Sequence, residues 1–282
     1  MERLWILALA LGALLGFTPA SNATAGSLGL IAALDTPAVR IDLAELKTRI
    51  AGGTEDSPPD LSHADLSGLV LDSMDFKRAK LTGARLVNAK LRGANLFTCD
   101  LTDAVLTGAD LTKANMDGTV LRRANLERAN LEGASLFATI VEAANLSGAN
   151  LAHTRIIGYL RGAKLVGTDL RNANIGADPG NQSMGVMRAT FVGADLSGAN
   201  LTAANLFKAD FSHATLTRAR MAGADLRNAD LIQADFTGAD LTGARLDQAN
   251  LDGAIFTNIV GRAQLKGLER ARNADKAVFD AH

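Results

Sequence analysis

Ala239-Asp240-Leu241-Thr242-Gly243 is one statement of a five-residue phrase, Ala-(Asp/Asn)-Leu-(Ser/Thr)-Gly, that recurs with small changes between residues 61 and 256. Ala64-Asp65-Leu66-Ser67-Gly68, Ala149-Asn150-Leu151 and Ala199-Asn200-Leu201 are others. Let the central Leu, Phe or Met be position i. An α-helix turns ~100° per residue, so a leucine every five residues drifts around it and makes no stripe. A continuous strand alternates faces with period two, so an odd period sends successive leucines to opposite sides. Both objections vanish if each repeat is a short extended piece followed by a bend. Then i−2 and i point inward, i−1 and i+1 point outward, and i+2, rich in Gly, Asn and Arg, makes the corner. One repeat cannot bury its own leucine, but stacked coils can.

These A(D/N)LXX units resemble the pentapeptide-repeat family over about two-thirds of the chain. The resemblance implies an all-β solenoid, a right-handed four-sided β-helix with four repeats per coil. Its four sides and its hand come from the resemblance alone. Strict register holds from residue 61 to 156, slips by one so that Leu160 comes early, and returns at Phe191 after an insertion over 176–190 that carries the turn signal Asp178-Pro179-Gly180-Asn181. About 38 repeats then make nine to ten coils, a rod of ~45 Å.

Outside the repeats, residues 1–25 read as a cleaved signal peptide. An apolar run from Leu4 to Phe17 precedes Ala23-Thr24-Ala25, with cleavage after Ala23 or Ala25. An uncleaved anchor is the alternative. Export to the periplasm or beyond follows, with no stable membrane insertion once the signal is removed. Residues 26–60 read as a linker and an N-terminal capping helix, with Thr36 as N-cap, Pro37 in the first turn, and Val39, Leu43, Leu46 and Ile50 on one face. Residues 257–282 leave the pattern, and Leu265, Leu268, Val278 and Phe279 are expected to cap the other end.

Composition narrows the function. The chain is 48% hydrophobic but only 4% aromatic, which suits a narrow Leu/Ala core, and its formal net charge of −1 calls for neither a strongly basic nor a strongly acidic partner. Cys99, the sole cysteine, stands at an i−2 position and reads as a small core residue, which excludes an intrachain disulfide and a cysteine zinc cluster. His63, His153, His213 and His282 are scattered, and no nucleotide-loop or nucleophile-elbow signature is present. No catalytic, cofactor-binding or metal-ligating residue is therefore assigned.

Function is expected on outward positions that break the polar rule. Phe97, Phe137, Ile157 and Phe207 occupy i+1 on one face, and Val120 and Ile140 are apolar i−1 residues around the corner. Such a cluster marks an interface with a protein partner or a second copy; single outward apolar residues are also ordinary. Met184, Val186 and Met187 of the insertion form a candidate interaction loop, the alternative being a tolerated bulge. Lys77, Arg78, Lys80, Arg85, Lys90 and Arg92 make an early basic section without the aromatic residues that would stack on nucleic acid. Asp210 and Asp230 are expected one coil apart on one face, the rudiment of a glycosidase pair or of a calcium site, on a face without a pocket. The expectation is an exported non-catalytic scaffold or protein-interaction module. The rival implied by the resemblance is a DNA mimic that binds type II topoisomerases. The near-neutral charge and the signal peptide speak against it. A carbohydrate-active enzyme on a β-helix face is the remote alternative.

Overall fold

A computed structural model describes residues 39–54, 56–177 and 187–280. The signal segment, Thr36 and Pro37, and Met184 and Val186 of the insertion lie outside these residues. The repeats coil into a solenoid. Parallel bridges join Asp110 to Lys90 on one side and to Asn130 on the other, and the same pairing at intervals of one coil runs in four separate ladders along the stack. Regular strands are therefore few and short, because each side of a coil contributes little more than one bridge.

One repeat shows why five residues suffice. In Ala109-Asp110-Leu111-Thr112-Lys113 the Ala109 N–H donates to Leu106 O at 3.0 Å, closing the preceding turn. Asp110 N–H donates back one coil to Ala89 O, while Leu111 and Lys113 N–H donate forward to Asn130 O and Glu132 O. The remaining donor, Thr112 N–H, is taken by the Asp110 carboxylate at 3.2 Å. All five N–H groups are satisfied, as a buried backbone requires. The Asp/Asn of the consensus is thus an Asx acceptor for the i+1 amide. The corner residue Lys113 has φ 58°, and its counterparts in the repeats, Gly or not, likewise take positive φ. A positive φ at the third turn position is what a type II turn demands. The inward Leu and Ala side chains fill the bore. Phe191 stacks on Phe211 and Phe236 on Phe256, both at 4.8 Å, the coil spacing read directly from two rings. Thr119, Thr139, Thr154 and Thr168 replace the small inward residue and donate their buried hydroxyls to backbone carbonyls.

The N-terminal segment differs from the sequence reading. Val39–Arg40 is a strand, β1, paired in parallel with Ala64–Asp65, β2, and Val39 is 65% exposed rather than part of a helical face. The helix, α1, is Leu43–Gly52, and its N-cap is Asp42, whose carboxylate accepts from Glu45 N–H at 2.8 Å. An open sheet edge competed with helix propensity for Val39 and won, because pairing on Ala64 satisfies backbone groups that a helix start would leave bare. Leu46 and Ile50 of α1 join the core at the end of the stack.

The register slip has a local cause. Ser135–Ile140, β3, and Arg155–Tyr159, β4, run straight through a corner. Phe137 faces Ile157, but Thr139 faces Gly158, so Ala138, with φ 56°, is bulged out to absorb the residue that β4 lacks. At the insertion Ala177 N–H still donates to Phe207 O, and Thr190 already bridges Tyr159 and Asp210, so both margins of 176–190 remain stacked.

The last coil keeps four sides but lengthens each. Val260, Lys266 and Arg272 bridge Asp240, Arg245 and Asn250, and Val278–Phe279, β6, pairs with Ile255–Phe256, β5. Gly261, Gly267 and Asn273 take positive φ at its corners, each followed by a 3-10 turn. Leu265, Leu268 and Phe279 pack against the core, but Val278, expected to join them, is 51% exposed, because alternation along β6 turns it outward while Phe279 turns in. The spacing of six between Gly261, Gly267 and Asn273 is the signal by which this coil could have been read from the sequence.

Cys99 is fully buried, and that burial pushes its thiol up to about 12. It is expected to resist a thiol-specific reagent in the native state and to react once in denaturant, measured by absorbance of the released chromophore. Acid sensitivity is expected from the outward carboxylates. The Ser62 N–H holds Asp60 below the ordinary carboxylate range, and the Arg171 guanidinium does the same for Asp169. A depressed folded-state pKa gives stability that is present above the unfolded value, about 3.9, and is lost as pH falls through the folded value. The urea midpoint is therefore expected to hold from pH 7 to about pH 5 and to fall below about pH 4.

Candidate functional site

The ladders define faces. One carries Asp75, Asn95, Asn115, Ser135, Arg155, Asn174 and Asn205 in succession, the Asn95 face. The i+1 residues beside them are Lys77, Phe97, Asp117, Phe137, Ile157, Gly176 and Phe207. The adjoining face carries Asp60, Lys80, Asp100, Val120, Ile140, Tyr159, Thr190, Asp210 and Asp230, the Asp210 face.

The outward apolar residues do share one corner region, but they are not equally available. Phe97, Phe137, Phe207 and Val120 are half-buried. Ile140 and Ile157 are 4% and 2% exposed and offer no surface. They sit in the straightened β3–β4 pair, where the chain no longer turns away at a corner. Cations cover two of the rings. The Arg155 guanidinium lies 4.6 Å over Phe137, and Lys208 and Arg227 stand 5.3 and 5.8 Å from the Phe207 centroid. Phe97 carries no such cover among the described residues. Met187 is half-buried at the margin of the insertion.

Phe97 instead lines a shallow groove with Thr54, Asp75, Lys77, Arg78 and Asn95, between the end of α1 and the Asn95 face. Asp75 Oδ1 accepts from Lys77 N–H and from the Asn95 amide, both at 3.0 Å, and the Asn95 carbonyl accepts in turn from Asn115 at 3.1 Å. A hydrogen-bonded amide ladder thus forms the floor. Nothing in the repeat pattern distinguishes this groove, because Thr54 comes from outside the repeats.

The basic section is not a basic face. In the backbone ladders Lys80 stands between Asp60 and Asp100, and Lys90 next to Asp110. Arg92 lies 3.5 Å from Asp110 and donates its backbone N–H to Asp72. Stacking at ~4.8 Å places Lys80, Lys90 and Arg92 beside acids of the neighbouring coils, whereas Arg78 stacks on Thr98.

Asp210 and Asp230 do stack as expected, but arginines occupy them. Arg188 donates to Asp230 at 2.5 Å and to Asp210 at 3.1 Å, and Arg272 of the last coil lies 3.5 Å from Asp230. The pair is a segment of a guanidinium–carboxylate ladder that runs from Arg188 to Arg272, not an acid–base couple waiting for a substrate. Among the described residues no group of His, Cys, Asp or Glu could hold a metal ion, and no helix is long and apolar enough to cross a membrane.

The family model described as pentapeptide repeats matches residues 60–96, 99–136, 187–223 and 219–258, in eight copies. Among solved structures, HetL, a pentapeptide repeat protein involved in heterocyst differentiation regulation from the cyanobacterium Nostoc sp. strain PCC 7120, is 30% identical, with 84% of this chain and 99% of HetL covered and a TM-score of 0.52. Rfr23, a pentapeptide repeat protein from the cyanobacterium Cyanothece 51142, is also 30% identical, over 43% of this chain and 91% of its own, with a TM-score of 0.27. QnrB1, a plasmid-mediated fluoroquinolone resistance protein, is 17% identical over 77% of this chain and 91% of its own, with a TM-score of 0.41. No curated protein matches the chain.

Proposed function

The chain belongs to the pentapeptide-repeat family, and we propose that it is a non-catalytic scaffold, an exported protein-interaction module. The observation that carries this reading is the filled bore. Inward positions are mostly Leu, Ala and Phe at essentially zero exposure, and the inward Thr hydroxyls are spent on backbone carbonyls, so outward side chains are left to act. Right-handed winding, a capping role for α1, and cleavage within 1–25 belong to the same proposal. The DNA-mimic reading has less support, since the acids of the Asp210 face are engaged by Arg188 and Arg272 and the whole chain is near neutral.

Two measurements test it. Cell fractionation with N-terminal sequencing should recover a mature protein outside the cytoplasm that starts at Thr24 or Gly26, and a full-length cytoplasmic chain would contradict export. A Phe97→Ser, Phe137→Ser double variant should lose a partner that the wild-type protein captures from the exported fraction, or show a lower mass by light scattering if the partner is a second copy. Unchanged mass together with unchanged capture would refute the use of this face.

A further inference from the structure

The groove beside Phe97 contains backbone that the fold leaves unpaired. From His63 to Gly133 the corner N–H donates to the carbonyl one coil on: His63 to Thr82, Ser73 to Arg92, Thr98 to Asp117, and so on. Arg78 is the exception, and among the described residues neither its N–H nor the Phe97 carbonyl it should meet has a partner. The cause is local: Lys77 and Arg78 both have positive φ, 46° and 63°, and Lys77 is the one i+1 residue among those described with φ in that region. Two consecutive non-glycine residues in the left-handed region cost energy that the surrounding packing must offset, and such strain gathers at binding sites. Three residues earlier in the same first coil, the N–H and C=O of Asp75 face the open end of the stack and have no partner among the described residues either.

The same end already shows what fits such an edge. On the ladder that starts at Asp65, β1 adds in parallel to β2. On the Asp75 ladder no described segment does so. The groove's charge adds a preference. Among the described residues, Lys77 and Arg78 line it without an ion pair, Arg78 giving its Nε to Thr98 at 3.0 Å, while the one acid of the lining, Asp75, is already tied to Lys77 N–H and Asn95.

We infer that this groove receives an extended acidic segment of a partner protein by strand addition. Its backbone pairs with the N–H and C=O of Asp75 at the open end of the stack. Its carboxylates meet Lys77 and Arg78, and an apolar side chain rests against Phe97. The inference rests on the interaction-module reading and names the site and partner chemistry within it.

The test uses the full chain and two blocked hexapeptides, alternating Glu-Val and alternating Lys-Val, with affinity measured by calorimetry and backbone protection by hydrogen exchange. The Glu-Val peptide should bind roughly tenfold or more tighter than Lys-Val, and exchange should slow in residues 75–78. Lys77→Glu with Arg78→Glu should weaken binding by a similar factor while circular dichroism stays unchanged. Lys164→Glu, on the opposite face, should leave binding as it was. Equal affinity for both peptides, no binding at all, no protection at 75–78, or equal competition by a DNA duplex would each overturn the proposal. If the double-charge variant still captures a partner that Phe97→Ser with Phe137→Ser loses, this site fails while the scaffold reading stands.

Discussion

Replacing Phe236 with Ala is expected to destabilise the rod by about 3–5 kcal/mol, the range for emptying a fully buried aromatic site. Phe236 is at zero exposure and stacks on Phe256 at 4.8 Å with the rings 2° from parallel, and Phe256 stacks in turn on Phe279 at 5.1 Å. The three rings pin the last coil to the stack. Truncating the first removes ring contact from a solid bore whose neighbours are held by backbone ladders and cannot collapse into the space. Because repeats contact only their neighbours, the damage should be local before it is global. Hydrogen exchange should speed first in residues 231–279 and little in residues 81–115. A change below ~1 kcal/mol by urea titration, or uniform loosening along the rod, would contradict this account of the core.

Gly158→Ala is expected to cost about 1–3 kcal/mol, through overlap rather than a cavity. A Cβ built on Gly158 falls 2.4 Å from Thr139 O and 3.2 Å from Thr139 N. These atoms belong to the strand that faces β4, so neither can swing aside without opening the β3–β4 ladder. The φ of Gly158 is not in the left-handed region. The requirement is therefore close approach of two backbones, not an unusual turn. By contrast Gly162→Ala, at a corner with φ 62° and open space around its Cβ, should cost about 1 kcal/mol from conformation alone. Thermal melts of the two variants separate the mechanisms: the Gly158 variant should melt lower and the Gly162 variant near wild type. Equal midpoints would show that the bulge at Ala138 relaxes freely.

The difference between these two glycines shows what could be read in advance. Gly162 is legible, because a period of five places it at a corner and its role repeats at Gly167 and Gly198. Gly158 sits where the period breaks. The slip at Leu160 marks the place, but whether the lost residue would be absorbed by a tighter turn or by a bulge opposite depends on pairing between residues 20 apart. The same limit explains α1. Amphipathic spacing located Leu46 and Ile50 correctly, yet Val39 fitted that stripe and an open sheet edge equally well, and only the neighbouring Ala64 decides between them. The candidate surface was legible in outline and not in detail. Periodicity put Phe97, Phe137, Ile157 and Phe207 on one face, but Arg155, Lys208 and Arg227, which cover two of the rings, read in the sequence as ordinary outward charges. The groove beside Phe97 was out of reach, since it needs Thr54 from outside the repeats and a missing hydrogen bond at Arg78 that no residue type announces.

The claim that outward side chains near Phe97 are the working surface of an otherwise inert rod can be tested in the cell. A photo-crosslinking amino acid is placed at Phe97 and, in a separate strain, at Thr217 on the opposite face. Illumination should yield a discrete adduct with another protein from position 97 and none from position 217. No adduct from either position, or the same adducts from both, would contradict the claim.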